Sequence, residues 1–269
     1  MDVEHQHYFR EEITMRINHN ITALNTHRNM GLNNVAAGKS MEKLSSGLRI
    51  NRAADDAAGL AVSEKMRGQI RGLEQAQKNV QDGISYVQTA EGAMNEVSAM
   101  LTRMKELNVQ KLNGTYSTTD KDNIDLELDE LGAQIDSIMA DTKFNGIQIT
   151  AGATIQADDN AQTISIGGID ASDFSGLDSA SSLTDIEDAI ESVATERATL
   201  GAKQNRLEYT SNNLGTTVEN LTASESRIRD TDMASEMVKL TKNNILLQAS
   251  QSMLAQANSQ PQGVLSLLQ

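Results

Sequence analysis

Between Asp56 and about Lys111 an apolar residue returns at every seventh position: Met66, Leu73, Val80, Val87, Met94 and Leu101. A stripe of that period is the seam of a coiled coil, so the segment predicts one long helix that must lie against another. About 55 residues at ~1.5 Å rise make a rod of roughly 80 Å. Ile70 and Ile84 are expected in the alternate row, which Gln77, Glu91 and Ser98 interrupt. Polar seam positions weaken packing and fix register. Asp55 and Asp56 stand where side chains cap a helix and where negative charge suits its dipole, and Asn113-Gly114 stands where a helix stops.

A second row of the same period runs Ile186, Val193, Leu200, Leu207, Leu214, Leu221 and Ile228, behind the capping-box pattern Thr184-x-x-Glu187. Arg197, Gln204, Ser211 and Glu225 take its alternate positions. Between the two rods, Thr119 with Asp122 has capping-box spacing, and Ile124, Leu128, Leu131, Ile135 and Ile138 form an apolar stripe that should fold back on the first rod. The only proline is Pro261, so nothing before it interrupts long helices. With aromatics at 3% and no tryptophan, the core must be built from aliphatic side chains along slender elements. The expected fold is mainly α: a long antiparallel helical rod, coiled-coil-like, over residues 56–229.

After Phe144-Asn145-Gly146 the period changes to two, in Ile147 and Ile149 and then Ile164 and Ile166, with Gly152 and Asp158-Asp159-Asn160 as turn material. This predicts a small β-hairpin region at about residues 143–182. Its Ser, Asp, Ala and Gly content suits a surface excursion and not a second core.

The two ends differ in kind. Residues 15–55 and 230–269 keep helical apolar spacing in Ile17, Ile21 and Leu24 and in Met237, Thr241, Ile245, Ala249 and Met253, among Asn, Gln, Ser, Thr and Ala. Neither end has the apolar area to offset its ordering entropy, so both are expected to be disordered in a solitary chain and to fold on assembly. Residues 1–14 lack the pattern that starts at Met15-Arg16-Ile17-Asn18 and are expected to be an extension from a misplaced start. They carry His5 and His7, for which solvated side chains outweigh a metal site, since no carboxylate or cysteine framework surrounds them.

Charge and residue types exclude several functions. A net charge of -14 disfavours nucleic acid, which needs a basic face, and suits solubility and export. Without cysteine there are no disulfides or thiolate metal sites. No run of about 18 apolar residues is present, and no basic stretch is followed by an apolar one at the start, so neither a membrane span nor a Sec-type signal is expected. Beyond the prefix the histidines are His19 and His27, both on the first terminal helix, and the glycines follow no phosphate-loop spacing. No enzyme activity and no cofactor are expected.

Two long motifs add a resemblance. The run Ser45-Ser46-Gly47-Leu48-Arg49-Ile50-Asn51-Arg52-Ala53-Ala54-Asp55-Asp56-Ala57-Ala58-Gly59-Leu60 resembles the N-terminal signature of bacterial flagellins. Thr241-Lys242-Asn243-Asn244-Ile245-Leu246, with Gln260-Pro261-Gln262-Gly263-Val264-Leu265-Ser266-Leu267-Leu268, is similar to the C-terminal one. The resemblance runs from Met15 to Gln269 and implies a structural subunit that polymerises with copies of itself into an extracellular flagellar filament. Terminal helices would pair as its inner tube, with Ile17, Ile21, Leu24, Met237, Ile245, Met253, Val264, Leu265, Leu267 and Leu268 as the residues of polymerisation. It also implies export through the flagellar type III channel and a flagellar export chaperone, cap and junction proteins as partners. Most of the variable domain of larger flagellins has no counterpart between Ile147 and Leu183. A hook-filament junction protein or a non-polymerising secreted helical ligand is the alternative; the closing Pro-Gln-x-Val-Leu-x-Leu-Leu pattern favours flagellin.

The same resemblance implies recognition by Toll-like receptor 5 through the first rod, in Leu101-Thr102-Arg103-Met104-Lys105-Glu106-Leu107-Asn108-Val109-Gln110, with Glu127 as an acidic contact on the next helix. Arg103, Leu107 and Gln110 fall on one stripe beside the seam, flanked by Lys105 and Glu106. Spacing alone fits either receptor contact or a packed Leu107 beside solvated charges. Asn108, Lys111 and Leu112 stand where the activating pattern has small residues, and Thr102 where it has Gln. The leucine cluster Val264, Leu265, Leu267 and Leu268 is implied as the part read by a cytosolic NAIP-type sensor.

Overall fold

The computed structural model describes residues 19–160 and 162–267, with side chains as far as residue 260. Its elements are α1 (Ile21–Ser46), α2 (Ala57–Lys111), α3 (Thr118–Asp141), β1 (Lys143–Phe144), β2 (Ile147–Gln148), β3 (Ala153–Gln156), β4 (Thr163–Ile166), α4 (Leu183–Arg229) and α5 (Met233–Leu267). They form two compact units. One spans residues 64–224; the other joins the chain up to residue 63 to everything from residue 225 on.

In the 64–224 unit the period-seven rows are the core. Leu73, Val80, Val87, Met94 and Leu101 of α2 are buried, as are Ile186, Val193, Leu200, Leu207 and Leu214 of α4. The alternate row of α2 is not the interrupted one expected. Ala76, Gly83, Ala90, Val97 and Met104, three residues beyond each seam residue, are the buried set, while Gln77, Ile84, Glu91 and Ser98 lie at the half-exposed flank. The seam of α2 is therefore apolar throughout, with small residues where other elements come closest. On α4 only Ala189 joins the row, and Arg197 sits at the flank 3.8 Å from Glu91.

The helix starts also differ from expectation. The capping box of α3 is Ser117 with Asp120, not Thr119 with Asp122: the Ser117 hydroxyl accepts from the Asp120 amide, and the Asp120 carboxylate accepts from the Ser117 amide. Before α4, Ser182 and Asp185 exchange the same two bonds at 3.2 and 2.8 Å, in place of Thr184 and Glu187. In both cases a Ser and the Asp three residues on close the box, which starts two residues earlier than expected. Asp56 does cap α2, accepting from Gly59 N at 2.8 Å. Asp55 instead holds the preceding turn, accepting from the amides of Asn51 and Arg52. The Arg52 amide bond is the main reason its carboxyl lies below the usual range.

Two antiparallel hairpins follow α3. Phe144 pairs with Ile147 around Asn145 (φ 49°) and Gly146 (φ 81°), the left-handed pair that a two-residue turn of this hand demands. Ala153–Gln156 pairs with Thr163–Ile166. The expectation of a mere surface excursion needs correction. Ile149, Ile164, Ile166 and Phe174 are buried in the same core as the helices. Tyr86 of α2 donates its hydroxyl to the carbonyls of Gln148 and Ile149 at 3.3 and 3.4 Å, and its ring meets Phe144 edge-on at 6.1 Å. A side chain on Gly83 would strike Ile155, and one on Gly132 of α3 would stand 1.8 Å from the Leu177 carbonyl, so both positions are small because another element occupies the space.

In the other unit α1 ends at Gly47, left-handed with φ 73°, whose amide returns to Lys43 O. The chain then crosses the α4–α5 turn: Leu48 bridges Asp230, Arg49 N donates to Arg229 O, and Thr231 N donates to Gly47 O. These bonds hold the end of α1 beside the start of α5.

Candidate assembly surface

The helices α1 and α5 pair along their length. The covered positions of α1 are Ala23, Thr26, Met30, Asn33, Ala37, Ser40 and Leu44; those of α5 are Glu236, Leu240, Asn243, Leu247, Ser250, Leu254 and Ala257. Each set alternates by three and four, the spacing of a coiled-coil seam. Its chemistry is thin, with leucine on one side and mainly small or polar residues on the other. Asn20 Nδ2 donates to the Ala257 carbonyl at 2.7 Å, and Asn33 Nδ2 lies 3.4 Å from Ser250 Oγ. Glu236 is buried in this seam, bonded to Lys239 at 2.9 Å and to Ser40. The Lys239 bond, chiefly, holds its carboxyl below the usual range.

Of the side chains expected in the inner tube, those described do not line this seam. Ile21, Leu24, Met237, Ile245 and Met253 all point away from the seam and are exposed, together with Leu32, Val35, Met41, Val238 and Leu246, which the sequence did not single out. Leu24 is 65% and Val238 69% exposed, so the pair of helices carries two faces: a closed one made of small and polar residues and an open one made of large apolar residues. The signal for the closed face was present in Leu240, Leu247 and Leu254, seven apart. Ile17 and Leu268 lie outside the described residues, as does the extension at residues 1–14 with His5 and His7. Val264, Leu265 and Leu267 belong to α5 by backbone, but their side chains lie outside the described ones. Both ends, as far as described, are helix, so the expected disorder becomes a question of how firmly this thin seam holds.

The charged stripe on α2 lies in the other unit. Arg103 donates to Glu127 Oε1 from both Nε (3.0 Å) and Nη2 (2.9 Å), and reaches Glu106 from Nη1 at 3.2 Å. These two carboxylates, Glu127 first, raise its already high pKa further. Lys105 pairs with Glu187 of α4 at 2.9 Å, and Gln110 donates to the Tyr116 hydroxyl at 3.0 Å. Leu107 departs from this group. It is 2% exposed, packed in the core, because its position follows the buried row of Val97, Leu101 and Met104. A receptor cannot touch its side chain in this conformation. Asn108 and Lys111, which replace small residues of the family pattern, tie down the segment before α4 through the carbonyls of Ser181 and Ser179 at 3.0 and 2.7 Å.

An open groove of about 620 Å³ beside α4 has Asp158 and Arg206 as its charged groups and no histidine, so it offers no convergent acid and base. Among the described residues no group of three or more His, Cys, Asp or Glu could hold a metal ion, and no helix is long and apolar enough to cross a membrane.

Comparison with known proteins bears on the two-faced terminal pair. Residues 17–155 match the bacterial flagellin N-terminal helical region, and residues 183–268 match the bacterial flagellin C-terminal helical region. The flagellin of Bacillus subtilis (strain 168) is 50% identical over 305 residues, covering 94% of this chain and all of that protein. A flagellar filament 33 kDa core protein of Treponema phagedenis is 45% identical over 285 residues, again over 94% of this chain and its own full length. A crystal structure of Bacillus cereus flagellin aligns with a TM-score of 0.47 at 30% identity, over 55% of this chain and 94% of that one. With both helical regions matched in order and half the residues shared with a relative from end to end, the chain belongs to the bacterial flagellins.

Proposed function

We propose that the chain is a structural subunit that polymerises with copies of itself into the extracellular flagellar filament, and that it is not an enzyme. The observation that carries this is the open face of α1 and α5. The large apolar side chains from Ile21 to Met253 are left exposed on helices whose mutual seam is too poor to bind them strongly. Exposed apolar patches of that extent on a soluble chain mark a contact surface, and relatives that carry the same helical regions are named as filament core proteins. Copies stacked around a common axis would cover the open faces and complete the terminal helices. Electron microscopy of concentrated protein tests the proposal: long tubes of uniform diameter are expected. Monomer released by heat that never regrows on filament seeds would favour a junction protein or a non-polymerising helical ligand instead.

Export through the flagellar type III channel, with a chaperone holding the unassembled chain and cap and junction proteins receiving it, is the delivery route this function needs. The open apolar face explains why a chaperone would be required, since the same face is an aggregation hazard before assembly. The NAIP-type sensor would read the C-terminal leucine cluster of Val264, Leu265, Leu267 and Leu268 in unassembled chains.

Recognition by Toll-like receptor 5 through Arg103, Lys105, Glu106, Gln110 and Glu127 is a second reading, favoured by one feature. Arg103 is braced by two carboxylates from two helices and yet exposed, so it presents a fixed charged surface at low ordering cost. Leu107 would act there by packing the helix and not by contact. Loss of receptor binding in Arg103→Ala and Glu127→Ala, with unchanged helix content, is the expected result; unchanged binding in both would remove the reading.

A further inference from the structure

The chain has neither cysteine nor tryptophan, so methionine thioethers are its most readily oxidised side chains. Their placement is uneven. Met94, Met104 and Met139 are buried in the 64–224 unit, and Met66 and Met100 are half-buried there. Met41, Met233, Met237 and Met253 are between 48% and 62% exposed, and all four stand on the terminal helices. Met41 and Met237 directly follow the covered Ser40 and Glu236, Met253 directly precedes the covered Leu254, and Met233 opens α5, so these exposed thioethers border the seam.

We propose that these four methionines are an oxidation-sensitive gate on assembly: hydroperoxide converts them to sulfoxides in the unassembled chain, and the modified subunit is refused by the filament. The gate rests on the filament reading above. In the reaction the thioether sulfur attacks one peroxide oxygen, the O–O bond breaks, an S=O bond forms and water leaves; sulfur is oxidised by two electrons and peroxide is reduced. The flexible apolar side chain becomes a polar one with a strong acceptor oxygen. On a surface that must pack against apolar side chains of the next copy, that oxygen is stripped of water without a donor to replace it. The same sulfurs are covered once copies surround them, so the chemistry acts on subunits awaiting incorporation and spares the finished polymer. Methionine sulfoxide reductase supplied with a dithiol restores the thioether: the sulfoxide oxygen leaves as water, the dithiol is oxidised to a disulfide, and the gate reopens.

The test treats purified full-length chain with hydrogen peroxide, maps oxygen addition by peptide mass spectrometry, and adds the chain to filament seeds. Met41, Met233, Met237 and Met253 should gain oxygen before Met94, Met104 and Met139. Oxidised chain should stop elongating seeds, and treatment with the reductase and its dithiol should restore elongation. In peroxide-treated filaments the four should stay unmodified. Unimpaired growth of chain oxidised at all four positions, or equal oxidation of buried and exposed methionines, overturns the gate. Failure of untreated chain to elongate seeds would overturn the filament reading, and the gate with it.

Discussion

A carboxylate in a seam is costly unless it is paired, and Glu236 is paired twice, by Lys239 beside it on α5 and by Ser40 across on α1. Its carboxyl is held below the ordinary value, chiefly by the Lys239 bond, so the sign of its pH dependence is fixed. The charged form stabilises the folded pair above the unfolded pKa, and that contribution is lost as pH falls through the lower folded value. The α1–α5 pair should therefore loosen as pH falls through that lower value. Glu236→Gln should flatten that acid response at a cost of about 1 kcal/mol at neutral pH; urea unfolding followed by helix circular dichroism at neutral and acid pH would show both. Gly132 makes a different point. Alanine is the better helix former, yet its Cβ would fall 1.8 Å from the Leu177 carbonyl, so Gly132→Ala should destabilise by about 1–3 kcal/mol through overpacking instead of stabilising.

Among the elements, the helix starts show how a local signal can be right in kind and displaced in place. Ser117 and Asp120 close the box that begins α3, while Thr119 lies inside the helix. Ser117→Ala should cost about 1 kcal/mol, and Thr119→Ala should cost less than half of that, measured by urea midpoint shifts. The interchange matters because either residue type satisfies a helix start in sequence, and only the path of the preceding chain decides which amides are left to cap. The same holds for the seam of α2. Its seventh-residue row was legible because burial is deepest there, but the choice between the alternate rows at three or four residues on depends on which side α3 and the hairpins approach. Ala76, Gly83 and Ala90 are small residues outside the seventh-residue row, yet all three are buried, and Ile155 of the hairpins closes in on Gly83.

For the whole molecule, the contrast between closed and open faces of the terminal helices governs what substitutions do. Leu247→Ser removes part of the seam that joins α5 to α1, whereas Ile245→Ser changes only the open face. Both should stop filament growth, but only Leu247→Ser should speed amide hydrogen exchange along α1 and α5 in the unassembled chain. Exchange at those helices should in any case be faster than in α2 and α4, because the thin seam has little buried apolar area to oppose local opening. If both variants left filament growth intact, the open face would not be the assembly surface.

Periodicity alone determined that this chain makes long helices seamed every seventh residue, since the repeat has no other way to bury its apolar side chains. Long terminal motifs carried the family, and the break at Phe144-Asn145-Gly146 placed the hairpins. Only the tertiary structure decided which face of each terminal helix turns inward, that Leu107 is packed away from the charged stripe beside it, and that the hairpins share the helical core. Those choices depend on which neighbour arrives at which side, and a linear pattern records the presence of a stripe without recording what will lie against it.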